Sequence, residues 1–281
     1  MRKFSIVTTF NDSGYELYGK NMLESFAKHW DKDVDLYAYY EGTEPSAIAP
    51  NIKMVDLNSA CPDLAAFKKK YGDDPVANGR VGVSQYGIQR PATCRWAHKE
   101  KTSFLYDAVR FSHKVYAIIH AARNVDTDVL LWVDADILTY RDVPLQFISD
   151  YTPEYVYTCY LKRHNYYPEC GFVSYNTKHA GHKKFIDEWE YLYNSGELFE
   201  MTEWHDSYVY GEILRELEDE GVVTSHSYSG DWERSKHPFV NCPLGDYMDH
   251  LKGNRKFKGK SLRKDMHNKS RLDDYWKDAP E

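Results

Sequence analysis

The chain lacks a cysteine framework, a long apolar run and an excess of positive charge, and each absence removes a class of protein. Its five cysteines (Cys61, Cys94, Cys159, Cys170 and Cys242) are odd in number, widely spaced and without a C-x-x-C pair, which excludes a zinc knuckle or dithiol motif. A reduced, intracellular setting is the simplest expectation. No segment approaches the roughly 20 apolar residues of a membrane-crossing helix, and the apolar run within residues 1–10 is too short for a secretion signal. The expected location is therefore the cytoplasm, with any membrane association peripheral. A formal net charge of −7 removes the broad basic face of nucleic-acid-binding proteins, so no nucleic-acid partner is expected. Internal repeats are missing too, which excludes solenoid architectures.

What is present is globular composition. At 281 residues, with 42% hydrophobic side chains, the chain can bury about three quarters of its unfolded surface. Aromatic content reaches 15%, with 24 Tyr and 7 Trp. Such side chains offer flat apolar faces with a polar edge, which suits sugar rings and equally suits a core.

Hydrophobic patterning gives an α/β order. Residues 4–10 read as a strand that stops at the turn cluster 11–14, residues 15–30 as a helix, and 33–40 and 51–57 as two further strands. Strand, helix, strand implies a parallel pair with a right-handed crossover. Residues 59–102 lack clean periodicity and read as a long, partly helical insertion, followed by a strong helix over 103–122. A fully apolar strand covers 129–133. Strands at 155–160 and 172–175 and helices at 183–194 and 207–218 complete the expectation.

The strongest local signal is Val129-Leu-Leu-Trp-Val-Asp-Ala-Asp136, a buried strand running into two carboxylates spaced by one residue. In extended chain, side chains two apart point the same way, so Asp134 and Asp136 can reach one hard cation, Mn²⁺ or Mg²⁺. Strand C-terminal ends are also where open α/β sheets bind ligands. Two aspartates after a strand can otherwise end it and cap the next turn. A second signal, His250-Leu-Lys-Gly-Asn-Arg-Lys256, has the form H-x-x-G-x-x-K. Its imidazole can complete a metal shell, Gly253 lets backbone approach a phosphate, and Lys256 neutralises charge; a surface histidine in a basic loop would look the same.

With these motifs, the chain resembles the GT-A-fold glycosyltransferases from its first strand to about Lys256. The pairing of Asp134-Ala-Asp136 with His250-x-x-Gly253-x-x-Lys256 is similar to the metal and diphosphate motifs of the glycogenin-like and bacterial lipopolysaccharide galactosyltransferase-like retaining enzymes, although their lysine is usually followed by Pro-Trp and here by Phe257-Lys258. The resemblance implies a Rossmann-like, mixed but mainly parallel sheet flanked by helices in a single domain over 1–256. Residues 1–140 would take the nucleotide-sugar and 141–256 the acceptor, with 257–281 a basic, polar tail. It implies Mn²⁺ (or Mg²⁺) on Asp134, Asp136 and His250, with Gly253 and Lys256 at the diphosphate. It places nucleotide base and ribose at Thr8, Thr9 and Phe10, with Tyr15 able to stack on the base. Arg110 and Lys114 lie one helical turn apart and can face one anion; in the resembled fold a basic residue of this helix contacts the donor. Strand-end packing and a solvated helix face are the plain alternatives.

For the acceptor half, Pro168-Glu-Cys-Gly-Phe172 sets a carboxylate beside a glycine that permits close approach, and Glu203-Trp-His-Asp-Ser-Tyr208 sets aromatic, imidazole and carboxylate groups in succession. An inverting enzyme needs a carboxylate base, with Asp206 and Glu169 the candidates; a retaining enzyme, toward which the second motif leans, needs none in that role. Asp206 is equally a good helix N-cap. The acceptor class is a glycan, a lipid-linked sugar or a protein. Two rivals stand beside this reading. A non-catalytic nucleotide-sugar or glycan-binding module has no need of a complete metal shell, and a D-x-D phosphatase wants Thr or Val where Leu138 stands. Residues 252–271 hold nine Lys or Arg and a single Asp, which suits an anionic membrane, an electropositive wall around the diphosphate, or a solvated tail.

Overall fold

A computed structural model describes residues 2–80, 102–268, 271 and 274–281. In chain order its principal elements are β1 (Phe4–Asn11), α1 (Lys20–His29), β2 (Asp35–Glu41), β3 (Ile52–Asp56), α2 (Pro62–Tyr71), β4 (Asn78–Arg80), β5 (Thr102–Asp107), α3 (Ala108–Asn124), β6 (Val129–Val133), β7 (Ile137–Thr139), α4 (Leu145–Tyr151), β8 (Thr158–Leu161), β9 (Glu169–Asn176), α5 (His182–Ser195), α6 (Asp206–Asp219), β10 (Ser225–Ser227), β11 (Met248–His250) and α7 (Arg255–Lys258). This is the α/β class expected. Chain contacts gather in two compact units, one of residues 1–56, 125–179 and 224–281 and another of 57–124 and 180–223.

The first unit is built on a seven-stranded sheet in the order β10-β8-β9-β6-β1-β2-β3. Strands β1, β2, β3 and β6 run parallel, while β9 pairs antiparallel with β6 and β8. All five residues of β6 are buried, as its unbroken apolar run requires. Each such side chain contributes roughly 1.5–3 kcal/mol of transfer free energy. Trp30, Phe26, Phe172, Phe239 and Met248 belong to the same apolar core. A short antiparallel pair, β7 with β11, sets His250 opposite Ile137; that ladder positions the site.

Residues 257–281, expected as a polar tail, pack into this unit. Trp276 is 1% exposed, and its Nε1–H donates to Tyr140 Oη at 2.8 Å. Tyr275 stacks on Tyr140 at 3.9 Å between centroids. The basic stretch is likewise engaged internally: Arg255 forks onto Asp265, Lys260 reaches Tyr275, and Arg271 donates to the Val240 and Cys242 carbonyls. Counting charged letters in sequence concealed this, because the aromatic anchors lie beyond the cations they hold.

In the second unit, Phe67 from α2 meets Tyr193 and Phe199, with ring centroids 5.5 and 6.2 Å away. The helix expected over 103–122 begins only at Ala108, since residues 102–107 form a strand paired with β4. The expected insertion resolves into short helices at Leu57–Ala60 and Pro62–Tyr71, while its 81–101 portion, Cys94 included, lies outside the described residues. The other four cysteines are free and buried. No helix among the described residues is long and apolar enough to cross a membrane.

Candidate metal centre

Strand β6 delivers Asp134 and Asp136 just past its last buried residue, but strand alternation is not what brings them together. The Ile137 N–H donates to the Asp134 carbonyl at 2.9 Å, closing a turn whose curvature turns both carboxylates to one side. The turn is tied to β9 by Asp134 N–H donating to Gly171 O at 2.8 Å, and to the chain after β11 by Leu251 N–H donating to Asp136 O at 2.9 Å. His250 then arrives from β11. Among the described residues these three form the group able to hold a metal, with one ligand atom each within 4.8 Å of the others.

His250 Nε2 lies 3.2 Å from Asp136 Oδ1 and 3.5 Å from Asp134 Oδ2. Two adjacent ligands each about 2.1 Å from a common ion stand about 3.0 Å apart, so these separations are close to the edges of a coordination shell. Two hard carboxylate oxygens with one imidazole nitrogen accommodate Mn²⁺ or Mg²⁺. The residues present therefore fit the cation.

A surrounding layer orients the ligands. Trp132 Nε1–H donates to Asp134 Oδ1 at 2.6 Å. Glu169 Oε1 is 3.3 Å from His250 Nδ1, and its other oxygen pairs with Lys252. The buried imidazole of His237 donates from Nε2 to the His250 carbonyl at 3.0 Å. A glycine at 171 is required, because a Cβ there would stand 2.3 Å from His250 Cε1. Lys256 Nζ sits 3.0 Å from Asp136 Oδ2 and 4.5 Å from the centre of the Tyr18 ring. Tyr18, Asn21, Asp136, Leu251 and Lys256 line part of a narrow 40 Å³ pocket there.

Electrostatics follow the geometry. Burial by itself would lower the His250 imidazole, but Asp136, Asp134 and Glu169 together raise it to about 10. Burial would raise Asp136, yet His250 and then Lys256 hold it below the usual carboxylate range. Glu169 is likewise held well below that range, where Lys252 and the two histidines outweigh burial. His237, pushed down to about 3 by burial and then by Lys252, stays neutral. The three carboxylates thus favour the protonated form of His250.

The other expected site residues fall as follows. Thr8 is fully buried, Phe10 belongs to the core, the Thr9 hydroxyl donates to Tyr39 O at 2.8 Å, and the Tyr15 ring lies 5.4 Å from that of Phe10. Gly253 adopts φ +56 with open space around it, which suits close approach by a ligand. Arg110, Lys114 and Asp206 belong to the second unit. There Arg110 is exposed on α3, while Lys114 Nζ is 2.7 Å from Asp206 Oδ2 with both side chains buried. Asp206 opens α6, but His205 is the cap, its Nδ1 accepting from Tyr208 N–H at 3.4 Å. Trp132, Tyr18, Lys252 and His237 were not singled out from sequence. Lys252 carried a signal, two residues beyond His250, and Trp132 lies two residues before its partner Asp134; Tyr18 and His237 had none, since their partners Lys256 and His250 are distant along the chain.

No family model matches the chain, and no curated protein matches it. Solved structures do. The apo form of mouse xyloside xylosyltransferase 1 is 10% identical, covering 90% of this chain and 98% of its own, with a TM-score of 0.50. The apo bifunctional glycosyltransferase WbbM is 12% identical with a TM-score of 0.44 over 75% of this chain, which spans 37% of WbbM. Apo GlyE from Streptococcus pneumoniae TIGR4 is 14% identical with a TM-score of 0.39 over 80% of this chain and 45% of its own. Similarity to the xylosyltransferase along nearly the whole of both chains shows that this chain has a glycosyltransferase fold.

Proposed function

We propose that this protein is a divalent-metal-dependent glycosyltransferase that moves a sugar from a nucleoside-diphosphate-sugar to a glycan, lipid-linked or protein acceptor hydroxyl, with retention at the anomeric carbon. The observation that carries the reading is the convergence of Asp134, Asp136 and His250 within 4.8 Å, on a glycosyltransferase fold, with Lys256 beside Asp136. A bound divalent cation supplies Lewis-acid neutralisation of the diphosphate leaving group.

The chain's own residues do the rest. Trp132 and Glu169 hold Asp134 and His250 in place, so the ligands need not reorganise when the cation arrives. Lys256, turning from Asp136 and the Tyr18 face, offers its ammonium to the diphosphate, and Gly253 leaves backbone accessible beside it. Thr9 and Tyr15 are the candidates for the nucleoside.

Retention is supported by the state of the two carboxylates that an inverting reaction would need. A general base has to be free and of suitable basicity. Asp206 is paired with Lys114, and Glu169 is engaged by His250 and Lys252 and held well below the usual carboxylate range. Glu169 is thus a positioning residue.

The test is a thermal-shift screen of nucleotide-sugars with and without Mn²⁺. A true donor at 100 times its Kd stabilises the folded protein by about 2.7 kcal/mol, and only when the metal is present. If no nucleoside-diphosphate-sugar raises Tm in Mn²⁺, the assignment fails.

A further inference from the structure

A second, larger pocket of about 380 Å³ opens between the loop after β8 and the segment at 233–236, and Arg163, Tyr166, Glu233, Arg234, Ser235 and Lys236 line it. Its volume falls within the roughly 300–1,000 Å³ of small-molecule sites. The two walls are fastened to each other: His164 N–H donates to Glu233 O at 2.9 Å and Ser229 Oγ to Lys162 O at 2.8 Å. The pocket is preformed.

Its charge is opposite to that of the chain. Three permanent cations face one carboxylate, and Glu233 is shared with Lys162 at 3.8 Å, on a molecule of net charge −7. Arg163 is held by its Nε–H donating to Tyr167 O at 3.1 Å, with its guanidinium 4.5 Å from the Tyr167 ring. Arg234 and Lys236 are exposed and form no ion pair among the described residues. Ser235 Oγ already accepts from His237 N–H and Asn241 Nδ2–H, each at 3.1 Å, so its own hydroxyl proton is left to donate. Beside these donors Tyr166 is 73% exposed, an aromatic ring with the Arg163 guanidinium over it, 5.7 Å from the centroid. A flat apolar face next to convergent cationic and hydroxyl donors matches a sugar ring carrying an anionic substituent.

We propose that this pocket binds an anionic saccharide, a sugar bearing a carboxylate or phosphate, with the ring on Tyr166 and the anion on Arg234, Lys236 and Ser235. Resting on the transferase reading, the ligand is the acceptor. Lys236 is followed directly by His237, which holds the His250 carbonyl, so one continuous segment joins the pocket wall to the metal centre.

Calorimetric titration of the metal-free protein with glucose 6-phosphate, glucuronate, glucose and inorganic phosphate tests the assignment. At least one charged sugar should bind about tenfold tighter than glucose, and Arg234→Ala/Lys236→Ala should abolish that preference. The relative strength of the phosphate and carboxylate sugars identifies the anion. Tyr166→Ala should weaken the charged sugar but leave inorganic phosphate unchanged, and Arg234→Lys should retain most binding. Equal binding of glucose, an unaffected double variant, or inorganic phosphate binding as tightly as the charged sugars would overturn the proposal. Mn²⁺ titration of the same native protein keeps the readings apart: no Mn²⁺ binding sinks the transferase reading, while the sugar affinities judge the pocket.

Discussion

Gly171 and His250 share one space: the imidazole lies where the Cβ of any other residue at 171 would be, 2.3 Å from Cε1 and 2.6 Å from Nδ1. Substitution there moves the ring without touching a metal ligand. Gly171→Ala should overpack the buried site at a cost of about 1–3 kcal/mol and weaken Mn²⁺ by about tenfold or more. Mn²⁺ titration followed by electron paramagnetic resonance, beside a urea melt, checks both; native Mn²⁺ affinity in the variant would contradict the geometry.

Asp136→Asn should abolish Mn²⁺ binding and cut metal-dependent transfer by at least about 100-fold, on the scale of losing one preorganised electrostatic group. The circular dichroism spectrum should stay native, since the side chain supports a ligand shell and no core packing. Unchanged turnover would remove the metal centre from the chemistry.

The Glu169→Gln variant distinguishes positioning from base catalysis. Losing an outer-shell carboxylate costs about 10–100-fold in metal affinity, so half-saturation with Mn²⁺ should shift by that factor. Turnover at saturating Mn²⁺ should recover. A kcat that stays low at any Mn²⁺ concentration would restore Glu169 as the base and make the reaction inverting.

Metal uptake should depend on pH in a definite direction. The folded His250 pKa, about 10, is raised above the roughly 6.5 of an unfolded histidine. In the metal-free protein its contribution to stability is fully present below about 6.5 and is lost as pH rises through 10. A metal must displace that proton, so Mn²⁺ affinity rises across the same interval. Calorimetry in two buffers of different ionisation enthalpy should register close to one proton released per Mn²⁺ at pH 7.5; no release would mean the imidazole is already neutral.

Trp276→Ala should destabilise the protein by about 3–5 kcal/mol, the usual cost of deleting a buried tryptophan, measurable as a lowered urea midpoint. A dispensable polar tail would show no change.

Much was legible from sequence because it is written in short stretches. The apolar run of residues 129–133 could only be a buried strand, and the carboxylates after it follow from the same few residues. The second motif was visible by spacing alone. Its partners were not. Trp132 alone in its apolar run carries a side-chain donor, but whether its indole N–H reaches Asp134 depends on the turn that begins there. Likewise, the helix expected from residue 103 gave way to β5 because Asn78–Arg80 pairs with it, a contact that local periodicity does not encode.

By itself, then, the amino-acid order determined the strand-and-helix succession, the α/β class and the identity of the donor atoms, since these depend on side-chain chemistry and on periods of two or 3.6 residues. Tertiary structure alone decided that β7 and β11 pair, that Glu169 serves the imidazole, and that the last residues bury Trp276. The reason is physical: which distant groups meet is set by sheet register and by what space the core leaves, and those emerge only when the whole chain has closed around them.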